Sequence, residues 1–526
     1  MSKPLWSLPT RQTQPIVLVR GFGGLDSAQE RQLTYQGFND GSVYPQKRGE
    51  NYIYEGMILR FMKSDWRFND ATNVVGYYAT EMTRSPIVPD ELKAFDPSFF
   101  QGRIIIDPAM ALHFLKSGDP CSSLWVFRYY DLCDRTFSIY GEALVRLIEF
   151  IQALGAIKNN AKPKVNIIAH SMGGLIVREA IQRTYPKQSP TAADESINKI
   201  VTLGTPHKGI SFQVLKELRW LPIGAADELE HFNPYKQADR TNPAAAVNFA
   251  QYFPTDRLLC VVGTNYRAYT VQMSALMNRL APIAGEEGLT YNRSDGLVKQ
   301  SCAQIDGAPR TFVHKPHGGF DSIVTSRESF EIATRFFFGD VRARLRQVRA
   351  QVKRGFDLFG KSEFFFGVSV KPRGVDFELF HQSKDAENCY GPFRSADFSD
   401  TDLAFGWADD DRLIWEGYLN SALSTSQTDL VLRLEFSVSE RDVFGIGFSD
   451  NVVFLKQYYV RAVMQPSLQL YLYNSEEFVH DDAMLNGQPM RQVPNGWEFD
   501  VMGTGFVGTY QLELHHIPET GEPMPF

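Results

Sequence analysis

The sequence predicts an α/β domain with a mostly parallel sheet, followed by an antiparallel β-sandwich. Three observations carry this prediction. Over the first ~340 residues, short apolar runs alternate with helical patterns, as strands and crossover helices of a parallel sheet do. From Glu363 the hydrophobic period becomes two, the mark of strands with one solvated face. The net charge of −7 also divides unevenly: from Gly355 onward there are 27 acidic and 11 basic residues, whereas the preceding part holds 34 acidic and 43 basic. Balances of −16 and +9 describe two domains with different surfaces. The length agrees, since 526 residues exceed the ~250–300 that one core supports.

The strands can be read in order. Pro15-Ile16-Val17-Leu18-Val19, Leu124-Trp125-Val126-Phe127, Val165-Asn166-Ile167-Ile168 and Ile200-Val201-Thr202-Leu203 are runs expected to be buried on both faces. Leu258-Leu259-Cys260-Val261-Val262 and Thr311-Phe312-Val313 complete the series. Between them, Tyr140 to Leu154 carries Leu144, Leu147, Ile148 and Ile151 at helical spacing. Further on, Leu430, Leu432, Leu434, Phe436 and Val438 alternate with more polar neighbours, and Leu468, Leu470 and Leu472 and then Tyr510, Leu512 and Leu514 repeat the pattern.

Between the two patterns lies Val341 to Arg354, with six basic residues and no acid. Val341, Leu345, Val348 and Val352 fall at helical spacing. The expected organisation is therefore an α/β domain over 1–340, a basic helical linker over 341–362 and a β-sandwich over 363–526. The helix is expected to dock on its neighbour with solvated basic flanks, contact with an anionic lipid surface being the alternative.

Composition excludes several classes. Hydrophobic residues at 43% and charged residues at 22% argue against disorder, collagen and coiled coil. Met-Ser-Lys-Pro-Leu-Trp is not followed by an apolar signal core, and no run approaches ~18 apolar residues. A soluble, cytoplasmic protein is expected, with signal-less export left open. Five scattered cysteines without a C-x-x-C spacing suggest reduced thiols and no zinc. Gly355 to Ser362 fits the P-loop spacing, but a helical stretch precedes it and a strand follows, the reverse of what phosphate binding needs. Gly21-x-Gly23 has Asp26 where a dinucleotide fingerprint requires glycine. Asp397, Asp400, Asp402, Asp409, Asp410 and Asp411 read as a solvated acidic loop rather than a calcium site. No nucleic acid, nucleotide, metal or other cofactor is expected.

The most informative stretch is Asn166-Ile167-Ile168-Ala169-His170-Ser171-Met172-Gly173-Gly174-Leu175. An apolar strand runs into a serine with small residues two positions away on either side, and a helix follows. Such a turn is tight, so bulk at position 169 or 173 would clash, and it exposes the hydroxyl at the carboxyl edge of the sheet. Other segments fall in a consistent order around it: Val19-Arg20-Gly21-Phe22-Gly23-Gly24 after the first strand, Thr202 to Gly209 after the strand that follows, then Ser294-Asp295-Gly296-Leu297-Val298.

Over residues 14–340 these motifs make the chain resemble the α/β-hydrolase family, and within it the lipases, some of which share Ala-His-Ser-Met-Gly. The resemblance implies the α/β-hydrolase fold: a mostly parallel sheet, helices on both faces, and cap or lid insertions. It implies Ser171 as nucleophile, activated by a base that takes its proton. The base follows the last strand, which leaves His314 and His317. His317 is preferred because it lies in the loop beyond the strand, whereas His314 still belongs to it. Asp295 would hold the imidazole tautomer, and Asp256 is a poor competitor because it precedes its strand. Backbone N–H groups of Phe22 and Met172 would form the oxyanion hole, each worth roughly 3 kcal/mol. Arg20 stands where these lipases usually carry His. Asp321 lies near where some bacterial lipases bind calcium, but its spacing differs and no metal is assigned.

Two insertions separate these motifs. Residues of about 25–123 are rich in aromatics, including Tyr35, Phe38, Tyr52, Tyr54, Phe61, Trp66, Phe68, Tyr77 and Tyr78, and residues of about 210–254 hold Leu218, Trp220, Leu221 and Ile223. Both are expected to form a cap and lid over an apolar acyl groove, with most of the aromatics in an extra core. The implied activity is cleavage of carboxylic esters of lipids through an acyl-enzyme. Phospholipase A, including a signal-less antibacterial effector, and an acyltransferase with the same triad are the alternatives. The expected partner is a lipid or other apolar ester, with peripheral contact to a lipid interface.

Overall fold

The structure, a computed structural model, describes residues 14–21, 56–63, 66–77, 87–102, 104–127, 137–209, 238–268, 294–319, 321–352, 363–375, 377–383, 386, 388–394, 406–407, 410–421, 429–441, 451–463, 467–475, 487–517 and 524–525. The chain forms two compact units, residues 1–308 with 315–333 and residues 309–314 with 334–526.

A seven-stranded sheet is built from β1 (Ile16–Val19), β2 (Asn69–Asp70), β3 (Ser123–Phe127), β4 (Val165–His170), β5 (Ile197–Leu203), β6 (Leu258–Gly263) and β7 (Arg310–Val313), in the order β2-β3-β1-β4-β5-β6-β7. Pairing is parallel from β2 through β6. Every residue of β1, β3 and β6 is buried, so these strands show no alternation. Helix α1 (Phe137–Asn159) buries Leu144, Leu147, Ile148, Ile151 and Leu154 on one stripe. Because β1 lies between β3 and β4, the carboxyl ends of β1 and β4 border the point where strand order reverses. Ligands bind open α/β sheets at such a crevice.

The insertion between β1 and β3 contributes strand β2 at the sheet edge, an antiparallel pair of Val75–Tyr77 with Ile104–Ile106, and the helices Met57–Lys63 and Pro108–Ser117. Its described phenylalanines Phe61, Phe68, Phe95, Phe99, Phe100 and Phe114 are buried. Phe61 meets Phe68 and Phe330 edge-on, and Phe99 and Phe100 pack on Phe150 of α1. Tyr35, Phe38, Tyr52, Tyr54 and Tyr78 lie outside the described residues, as do 210–237 with Leu218, Trp220, Leu221 and Ile223.

The second unit consists mainly of two antiparallel sheets. One contains β8 (Val341–Val352), β10 (Leu413–Leu419), β14 (Gly496–Met502) and β15 (Phe506–His516), in the order β10-β8-β15-β14 and ending on Arg491–Val493. The other contains β9 (Glu363–Pro372), β11 (Asp429–Arg441), β12 (Asn451–Val463) and β13 (Gln469–Asn474) in sequence order. Their inner faces meet through rings: Phe436 lies 4.4 Å from Tyr510, and Phe366 and Phe454 lie 5.5 and 5.2 Å from Phe506. This is the predicted sandwich.

One expectation is corrected. Residues 341–352 are not a helical linker but strand β8, paired with both β10 and β15. Val341, Ala343 and Leu345 are buried, while Arg342, Arg344 and Arg346 form the opposite face. A bulge between Gln347 and Arg349 then shifts the phase and buries Ala350. The 341-to-345 interval is even, so it satisfies a period of two as well as a helical turn, and the bulge produces the odd step that looked helical. The arginines are paired within the sheet. Arg342 and Arg344 reach Glu416 at 2.7 and 2.8 Å, and Arg346 reaches Glu513 at 2.7 Å. Counted from Val341, the charge partition becomes +3 and −10, so six of the nine excess basic charges assigned to the α/β part lie in 341–354, four of them in strand β8. The P-loop-like run Gly355–Ser362 and Asp397, Asp400, Asp402 and Asp409 lie outside the described residues.

Candidate active site

The site is assembled at the carboxyl edge of the parallel sheet. Strand β4 ends at His170, and Ser171 turns the chain into α2 (Gly173–Glu179). Ser171 has φ 53°, a left-handed conformation that few non-glycine residues adopt and that costs about 1–3 kcal/mol. Its N–H donates to the Leu203 carbonyl at the end of β5, at 2.9 Å, which anchors the turn. The strain lifts the hydroxyl out of the β4 line toward the neighbouring loops.

Two of those loops supply partners. Ser171 Oγ lies 2.9 Å from His317 Nε2, and His317 Nδ1 lies 2.8 Å from Asp295 Oδ2. Asp295 is held from its other side, where Oδ1 accepts from the Leu297 and Val298 N–H groups at 3.0 and 2.8 Å. All three residues are buried, with Asp295 only 1% exposed. Gly204, at φ +56°, leaves room for the pair: a Cβ there would stand 2.7 Å from Asp295 Oδ2 and 3.2 Å from His317 Nδ1.

The structure thus brings together Ser171, Asp295 and His317. It does not bring in His314, whose ring faces that of His381 at 6.0 Å within the second unit. Asp256 lies in a turn ahead of β6, at the opposite strand end. Met172 is the N-cap residue of α2. Phe22, the other expected oxyanion donor, lies outside the described residues. Asp321 accepts from Lys315 at 2.7 Å. Among the described residues, no cluster of three or more His, Cys, Asp or Glu is placed to hold a metal, and no helix is long and apolar enough to cross a membrane.

Sequence reading missed three residues around this centre. His170 Nε2 lies 3.0 Å from the His317 carbonyl; burial and the nearby His317 and Arg20 hold its ring well below the usual histidine range. Arg178, buried in α2, donates to Gln182 Oε1 and to the His207 and Ala244 carbonyls at 2.8, 2.6 and 2.5 Å. Burial brings it down to about 9, so it stays charged at neutral pH. His207 is buried with Nε2 3.0 Å from Thr202 Oγ1, and burial, Arg178 and Lys208 hold it well below its ordinary value. The signal available for Arg178 was the charged pair Arg178-Glu179 after an apolar run, with Gln182 one turn on.

Residues 133–217 match the family model described as the PGAP1-like alpha/beta domain. That span runs from α1 through the Ser171 turn and past Gly209. No curated protein matches the chain. Similar solved structures include the Bacillus licheniformis lipase BlEst2 in mature form, at 13% identity and a TM-score of 0.31, covering 63% of this chain and 94% of that one. Phospholipase PlaB from Legionella pneumophila is 11% identical at a TM-score of 0.29, over 73% of this chain and 94% of its own. From the sheet order, the strand–Ser171–helix turn and the match over 133–217, the first part of this chain has the α/β-hydrolase fold, and residues 133–217 are similar to the PGAP1-like alpha/beta domain.

Proposed function

We propose that the protein is a serine hydrolase of carboxylic esters, with lipid-like substrates. The observation that carries this reading is the unbroken chain from Ser171 Oγ through His317 to Asp295, at 2.9 and 2.8 Å. His317 Nε2 takes the hydroxyl proton as Ser171 Oγ attacks the ester carbonyl. Asp295 keeps Nδ1 protonated, so that Nε2 presents its lone pair to Ser171 and the imidazolium that forms is stabilised. The oxyanion is received by the backbone N–H groups of Met172 and Phe22. His317 then protonates the departing alcohol, and a water activated by the same imidazole releases the acid from Ser171.

The lipid-like substrate class rests on the aromatic and apolar content of the two insertions, about 25–123 and 210–254. Fluorophosphonate labelling of wild type and Ser171→Ala tests the chemistry. The expected result is labelling of wild type alone, with turnover lower by on the order of 10⁶ in the variant; equal labelling would sink the nucleophile assignment. A series of p-nitrophenyl esters, with triacylglycerol and phospholipid beside it, tests the substrate class. Long chains should be cleaved faster than short ones, and the opposite order would remove the acyl groove.

A further inference from the structure

We propose that His170 is a positioning residue for proton transfer from Ser171: its side chain holds the backbone of His317 in place, tying the base to the nucleophile strand. This rests on the reading of Ser171 and His317 as nucleophile and base.

His170 Nε2 lies 3.0 Å from the His317 carbonyl oxygen, across 147 residues of sequence. A carbonyl oxygen only accepts, so Nε2 carries the proton, and the neutral ring then has its lone pair on Nδ1. The two imidazoles lie 4.8 Å apart, tilted by 40°. On the other side of the His170 ring is Gly21, where a Cβ would come within 2.9 Å of Nδ1 and of Ser171 Cβ. The ring is thereby held between the turn after β1 and the loop bearing the base.

This contact is distinct from those Asp295 makes. Asp295 binds His317 Nδ1 and receives the His317 N–H at its own carbonyl, so both ties run between the 295 and 317 loops. His170 links the His317 loop to the end of β4 through a side-chain donor. A base displaced by about 1 Å loses rate on the order of 10²-fold, so a tie of this kind acts on kcat more than on KM. The ring must also be neutral to serve, because His317 becomes a cation during the step. The charged or titratable groups facing His170 are His317 and Arg20, and together with burial they keep it unprotonated at neutral pH.

The test compares His170→Gln with His170→Met in the full chain. Gln reaches about as far as Nε2 and can donate to the carbonyl, whereas Met has similar length and no donor. The readouts are the rate of fluorophosphonate labelling and kcat and KM on p-nitrophenyl butyrate, with thermal melting as a check on folding. The Met variant is expected to label about 10- to 100-fold more slowly than wild type with KM within about twofold, and the Gln variant to label at least about fivefold faster than Met. A Met variant close to wild type, or Gln and Met equally impaired, overturns the proposal. If the Met variant does not fold, imidazole ¹⁵N–¹H correlation in the wild type decides. A neutral Nε2–H tautomer at pH 7 supports the contact, and an Nδ1–H tautomer or a cation overturns it. Labelling of Ser171→Ala in the same experiment would reject the nucleophile assignment itself, separately from either outcome.

Discussion

Asp295 and His317 are joined twice. Their side chains meet at 2.8 Å, and the His317 N–H donates to the Asp295 carbonyl at 2.9 Å. The backbone bond places the ring, and in the proposed mechanism the side-chain bond selects its tautomer. Asp295→Asn separates the two. The Leu297 and Val298 N–H groups keep the amide oxygen on their side, which turns the amide NH₂ toward His317 Nδ1. The imidazole must then carry its proton on Nε2 and cannot accept from Ser171. Turnover should fall by about 10⁴, with thermal stability close to wild type. A loss below tenfold would show that the carboxylate does not select the tautomer.

Gly173, in the turn after Ser171, lies against the end of β1. A Cβ there would lie 2.6 Å from the Val19 and Arg20 carbonyl oxygens, and neither is a flexible side-chain end. Gly173→Ala is therefore expected to destabilise the chain by about 1–3 kcal/mol and to slow fluorophosphonate labelling. The urea midpoint of its unfolding measures the first effect, and an unchanged midpoint would contradict the close approach.

His207 links stability to pH. Its folded-state pKa lies below the ordinary 6.5 because of burial, Arg178 and Lys208. Above pH 6.5 both folded and unfolded chains leave it neutral. As pH falls below 6.5 the unfolded chain takes up a proton that the folded one refuses, so stability is lost from there down to the folded pKa, by at most about 1.4 kcal/mol per pH unit. His207→Gln should flatten the fall in melting temperature between pH 6.5 and 5. An unchanged slope would assign the acid sensitivity to other groups.

Glu416 is 2% exposed and receives both Arg342 and Arg344, while Arg346 belongs to Glu513. Glu416→Gln keeps the shape and removes the charge that two guanidinium groups share. We expect a loss of about 1–3 kcal/mol, seen in the melting of the sandwich. A melting curve unchanged at low and high salt would show that the pair contributes nothing.

The legible part of the molecule was local. Each strand of the parallel sheet predicted from an apolar run is present, from Ile16–Val19 to Arg310–Val313, because strands buried on both faces must be apolar throughout. The turn at Ser171 was legible because Ala169, Ser171 and Gly173 answer a steric demand within five residues. The sandwich strands were legible where their alternation is unbroken, as at Leu430 to Val438. The basic run 341–352 was misread because even spacings fit both periods, and its identity as a strand depends on Glu416 and Glu513, which lie roughly 75 and 170 residues away.

By itself, then, the sequence determined the apolar strands of the α/β part, the serine in the turn after one of them and the change to an antiparallel sandwich, since these follow from side-chain period and backbone sterics over a few residues. Only the tertiary structure decided that His170 Nε2 lies 3.0 Å from the His317 carbonyl, that Arg178 reaches the His207 and Ala244 carbonyls, and that Arg342, Arg344 and Arg346 pair with Glu416 and Glu513 within a sheet. Those outcomes depend on which distant groups the folded chain brings within about 3 Å, a distance no local pattern encodes.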